Sequence, residues 1–146
     1  MTRTRWLPLL LLAAAACEDP GTSSEARAVR GTYFLSSIDE RPLPAAEPCS
    51  ADLIRFEMIT LENGTATYTK TSGTPAGQTL TVEGNGTYDA REGEVEVNLT
   101  VRSRNNPLQK YPARMVFQYD GGLLKQIVGM PCDGRSVKRF DPGIIN

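Results

Sequence analysis

The nine residues Glu94–Arg102 read EVEVNLTVR, with Val95, Val97, Leu99 and Val101 in one phase. Glu94, Glu96, Asn98, Thr100 and Arg102 occupy the other. A helix turning every 3.6 residues would scatter those aliphatic side chains around its surface. A strand buried on one face collects them all. The same grammar recurs from Gly31 onward, as Val, Ile, Thr, Tyr and Phe runs separated by Gly, Asn, Asp and Pro clusters. No long stretch keeps a helical period. The expected strands are Gly31–Ile38, Leu53–Glu62, Thr65–Thr71, Gln78–Asp89, Glu94–Arg102, Ala113–Tyr119, Leu123–Val128 and Ser136–Phe140.

Tight hairpin signals stand at Asn63-Gly64, Arg91-Glu92-Gly93 and Asp120-Gly121-Gly122. Gly84 and Gly86 read as kinks in one long bent strand, although a turn within Val82–Asp89 would add another. The remaining connections, Asp39–Asp52, Ser72–Gly77, Ser103–Pro112 and Gly129–Arg135, are longer. Alternate connections of a meander lie at opposite ends, so one end is trimmed and the other carries the long loops. Closure removes the exposed edges that an open meander would leave. The expected fold is all-β, a small up-and-down antiparallel β-barrel of about eight strands.

The N-terminus bears on compartment. Arg3 and Arg5 precede a ten-residue apolar run, Leu7–Ala16, too short to cross a bilayer core about 30 Å thick. Positive start, short apolar run and small residues make a secretory signal peptide. Ala14-Ala15-Ala16-Cys17 resembles the lipobox of bacterial lipoproteins, with Ala14 where that family prefers Leu. The resemblance implies diacylglycerol and fatty acyl groups such as palmitate on Cys17, with cleavage before it. The alternative is A-x-A cleavage by a general signal peptidase, leaving a thiol. The expected organisation is signal peptide 1–16, lipidated Cys17 with a flexible tether to residue 30, and a barrel domain over 31–146. Localisation follows as a bacterial cell envelope, membrane-anchored, with the domain outside the cytoplasm.

Loss of Arg3 and Arg5 leaves 14 basic groups against 17 acidic, a net charge of −3, and the chain has no histidine. Such a chain has no electrostatic footprint for nucleic acid. If Cys17 is acylated, Cys49 and Cys132 remain as the one intramolecular disulfide the chain can form. Both fall in connections at the long-loop end, the first and the last, which barrel closure makes neighbours. Two thiols without histidine make a poor metal site, and no metal or cofactor is expected.

Several stretches resemble the lipocalin-like domains of bacterial envelope lipoproteins. They are GTYFLSSIDERPLP (31–44), ITLENGTATY (59–68), GNGTYDAREGEVEVNL (84–99), GGLLKQIVG (121–129) and the terminal SVKRF (136–140). The resemblance implies an eight-stranded barrel and, as often in that fold, an apolar small molecule bound within. It supplies no catalytic residue.

Catalysis is poorly provided for. No histidine can serve as a base at neutral pH, and the spacing of Ser36, Ser37, Lys70 and Lys125 does not suggest a Ser–Lys pair. The chain is expected not to be an enzyme. The acids Glu83, Asp89, Glu92, Glu94 and Glu96 lack Ca²⁺-ligand spacing and read as a solvated face. The Asn-Gly-Thr at Asn63 and at Asn85, and Asn98-Leu-Thr, read as turns, bends and an outward strand position. Phe56, Met58, Tyr68, Met115, Phe117 and Tyr119 are the candidate lining of a cavity at the barrel mouth. Arg41–Pro48 and Asn105–Pro112 are Pro-bearing loops at the same end. The leading expectation is a monomeric carrier of a small apolar or lipid-like ligand. The second is a protein-interaction or inhibitor module acting on an envelope partner through those loops.

Overall fold

The computed structural model describes residues 23–129 and 135–143. A short helix, α1 (Ser24–Ala28), precedes ten strands. They are β1 (Gly31–Ile38), β2 (Arg41–Pro42), β3 (Ala45–Ala46), β4 (Leu53–Glu62), β5 (Thr65–Gly73), β6 (Thr79–Arg91), β7 (Glu94–Ser103), β8 (Asn106–Asp120), β9 (Leu123–Gly129) and β10 (Arg135–Pro142). The eight long strands close into an antiparallel barrel in chain order, with β1 pairing β10 on one side and β4 on the other. The up-and-down barrel of the sequence reading is therefore the observed fold.

Turn chemistry sets the trimmed end. Asn63-Gly64, Glu92-Gly93 and Gly121-Gly122 all have positive φ at both positions, the backbone of a type I′ turn whose twist matches the flanking strands. The first connection is not a loose loop. β1 turns at Asp39-Glu40, again with positive φ, into β2, which pairs back on β1 through Ser37↔Pro42 and Ile38↔Arg41. β3 then pairs with β4, so the segment fills the place where β1 and β4 diverge.

β6 is a single strand across Gly84 and Gly86, and both glycines are required by close approach. A Cβ on Gly84 would meet the Val101 side chain at 2.8 Å, and one on Gly86 would run into the main chain of Asn98. The missing side chains let β6 and β7 coil tightly around the core.

Two corrections concern the connections. Ser103–Pro112 was expected as a long loop, but β8 begins at Asn106 and pairs with β7 through Arg102↔Lys110, Val101↔Tyr111 and Thr100↔Pro112. The two strands extend together as a hairpin finger closed by Ser103↔Asn106, with Pro107–Gln109 bulged out of the ladder. The segment up to residue 30, expected to be a flexible tether, is folded over 23–30. Ser23 caps α1 by accepting from the Ala26 N–H at 3.0 Å, and Ala26 and Val29 are buried. Residues 1–16, Cys17 and Cys132 lie outside the described residues, and with them the expected signal peptide, lipidation and Cys49–Cys132 pairing. Cys49 lies between β3 and β4 with φ of 60°.

Candidate functional site

The barrel interior has two layers. Toward the trimmed end it is apolar: Ile59, Leu61, Val95, Val97, Leu124, Phe117 and Phe140 are essentially inaccessible. Phe117 and Phe140 meet edge to face with ring centroids 5.5 Å apart. α1 stoppers this end. Tyr33, Tyr88 and Tyr119 donate their hydroxyls to the carbonyls of Val29, Ala26 and Ala28 at 2.8, 2.9 and 3.1 Å. These bonds satisfy carbonyls that a helix end leaves unpaired. Burial, reinforced by neighbouring Tyr119 and Tyr88, pushes the Tyr33 hydroxyl up to about 12.

Toward the long-loop end the interior turns polar. Glu57 is fully buried and accepts from Lys138 Nζ and from the Tyr68 hydroxyl, each at 2.8 Å. Burial, then the charge and hydrogen bond of Glu57, hold the Tyr68 hydroxyl well above its usual range. Lys70 pairs with Glu47 at 2.5 Å beside this group. Sequence reading missed the cluster. A signal was available: counting back in twos from Leu61 and Ile59 puts Glu57 inside, and counting back from Phe140 puts Lys138 inside. A bulge between Ile54 and Phe56 reconciles this phase with buried Ile54.

Strand alternation divides the six residues expected to line a ligand cavity. Phe56 and Met58 fall on the outer face, where the Phe56 ring lies 6.0 Å from that of Phe34. Tyr68, Met115, Phe117 and Tyr119 are inside but at different levels, spent on the polar cluster, the packed core and the α1 stopper. They do not converge on one cavity.

The acids of β6 and β7 are strung along the outer face, and three of them are matched to arginines. Glu83 pairs with Arg104 and Arg102, Asp89 with Arg91, and Glu96 with Arg114 at 2.7 Å. The Arg114 hydrogen bond, with help from Asn98, holds the Glu96 carboxyl down to about 2. A groove of about 440 Å³ runs over this outer face between Thr69, Glu83, Thr100, Arg102 and Lys110. Among the described residues no group of three or more potential ligands could hold a metal, and no helix is long and apolar enough to cross a membrane.

The remaining candidate surface is the finger. Every residue from Arg104 to Pro112 is exposed, Leu108 at 93% and Tyr111 at 46%. Among the described residues the ladder joining β8 to β9 has three rows, Gln118↔Lys125, Tyr119↔Leu124 and Asp120↔Leu123. Among the described residues Lys110–Phe117 has its ladder partners on β7. A comparison with known proteins gives no match to a family model, to a curated protein or to a solved structure.

Proposed function

We propose that the protein is an envelope-anchored interaction module that presents the β7–β8 finger to another protein. The observation that carries this reading is Leu108, a large apolar side chain 93% exposed in the bulge near the end of the β7–β8 hairpin. Solvating it there costs about 1.5–3 kcal/mol relative to burial, and a partner pocket would recover that. A carrier is less well supported, because apolar packing fills the interior near the trimmed end and a paired Glu57–Lys138–Tyr68 cluster occupies it near the other.

Orientation favours the same reading. With α1 folded onto the barrel, only residues 18–22 separate lipidated Cys17 from Ser23, a covalent reach of no more than about 22 Å. α1 stoppers the trimmed end, so that end would sit near the membrane. β8 runs fifteen residues away from it, about 45 Å at roughly 3.3 Å per residue. The finger then stands clear of the headgroups.

The test is a photo-crosslinking residue placed at Leu108 in the living envelope, with Glu62 at the trimmed end as control. The expected result is a discrete crosslinked protein at Leu108 that disappears when Tyr111→Ser is added. No crosslink, together with an apolar molecule retained in the native mass of the purified protein, would return the carrier reading to first place.

A further inference from the structure

We infer that the free edge of β8 between Pro112 and Phe117 receives an extended acidic segment of the partner, paired strand to strand. This deepens the interaction-module reading and rests on it.

The direction of the backbone groups follows from one bond. The Tyr119 N–H donates to the Gly93 carbonyl at 2.7 Å, toward β7. Main-chain groups alternate sides along an antiparallel strand, so Phe117 and Met115 also face β7, while Gln118, Val116 and Arg114 face the opposite way. Gln118 has its row with Lys125 on β9. Val116 and Arg114 have none, nor do Ile127 and Gly129 on β9, in the ladder among the described residues. Two edges with donors and acceptors in strand geometry are what an extended peptide pairs with. A globular surface or a small molecule cannot match such a row.

A side chain marks the same place. Gln126 is the first β9 residue past the last paired row, in phase with buried Leu124. Its Oε1 is buried without a hydrogen-bond partner. Such an acceptor costs about 1–3 kcal/mol until a donor reaches it. A serine or threonine facing inward on an added strand supplies that donor.

Charge selects the occupant. Asn106–Phe117 carries Lys110 and Arg114 and no acid, Gln126–Gly129 carries no charge, and exposed Arg135 stands opposite Gly129. Arg114 is shared with Glu96 on the outer face, with Glu94 near it, so the charge offered to a partner is that of exposed Lys110 and Arg135 at the two ends of the edge. A second copy offers the same cations and is repelled. Pro112 faces the same way as Val116 and lacks an N–H, so it ends the run and fixes where pairing can begin.

The probe is a peptide of alternating glutamate and threonine or valine, titrated into ¹⁵N-labelled protein. Its controls are two isomers N-methylated at every second residue, one in each phase, and a lysine-for-glutamate version. The expected result is amide shifts at Arg114, Val116 and Ile127. Affinity should fall at least about tenfold for one N-methylated isomer, for the lysine version, and in Val116→Pro. Overturning results are absent shifts, equal binding by both N-methylated isomers, shifts confined to other faces, or the same shifts from raised protein concentration without peptide. The wild-type arms stand even if Val116→Pro does not fold. If the Leu108 crosslink persists while the peptide fails, strand pairing falls and the interaction module stands; if both fail, both fall.

Discussion

The Tyr88 hydroxyl on β6 donates to the main-chain carbonyl of Ala26 at 2.9 Å, across 62 residues of chain. With the matching bonds from Tyr33 and Tyr119 it makes α1 part of the barrel rather than part of a tether. Tyr88→Phe keeps the ring and removes one bond. The expected cost is about 1 kcal/mol, read from urea denaturation. Ala26→Asp places a carboxylate in a fully buried position and should cost several times as much.

Glu57 and Lys138 are a buried pair whose members depend on each other. Lys138→Met strands a carboxylate and should destabilise by about 3–5 kcal/mol, whereas Glu57→Leu together with Lys138→Met should recover most of that loss. A double-mutant cycle in denaturant measures the coupling. Equal and additive losses would mean that the pair is already broken in solution.

Alkaline titration should separate the tyrosines. The unfolded chain ionises near 10.0, while Tyr33 keeps its proton to about 12 and Tyr68 stays well above the usual range. A raised folded value contributes stability below pH 10, and that contribution is lost as pH rises through the folded value. Absorbance of tyrosinate in native buffer should therefore lag the same titration in urea, and stability should fall above pH 10.

Acid should act in the opposite sense. Asp39 accepts from the Val137 N–H at 2.8 Å and the Ser136 hydroxyl at 2.7 Å, which hold its carboxyl below its usual value. Glu96, held down to about 2 by Arg114 and Asn98, behaves likewise. Depressed values contribute stability above about pH 4, lost as pH falls through the folded values. The acid midpoint should move upward in Asp39→Asn.

Gly86→Ala drives a methyl into the Asn98 main chain and should cost about 1–3 kcal/mol or more as overpacking. Thermal melts of this variant beside Gly77→Ala, where the added atom meets open space but φ is +80°, separate crowding from backbone strain.

Much of the fold was legible. β1 and β4 begin and end where their alternation and turn residues say, since period-two patterning and Asn-Gly turns act over a few neighbours and need no distant contact. Closure also followed, since it removes the edges that a sequential meander would leave exposed. What only the tertiary structure decided are features set by residues far apart in sequence. Ser24–Ala28 is too short to hold a helix by itself and is ordered by three tyrosines from β1, β6 and β8. Glu57 faces inward in step with Ile59 and Leu61 and is kept there as a charged group by Lys138, 81 residues away. Asn106–Pro112 reads as a loop because of its prolines, yet β7 pairs with Asn106 and with Lys110, Tyr111 and Pro112, and Pro112 turns its nitrogen away from β7, where no hydrogen bond to that strand is needed. Local patterning determined the strands; the long-range partners determined the stopper, the buried charge and the free edge.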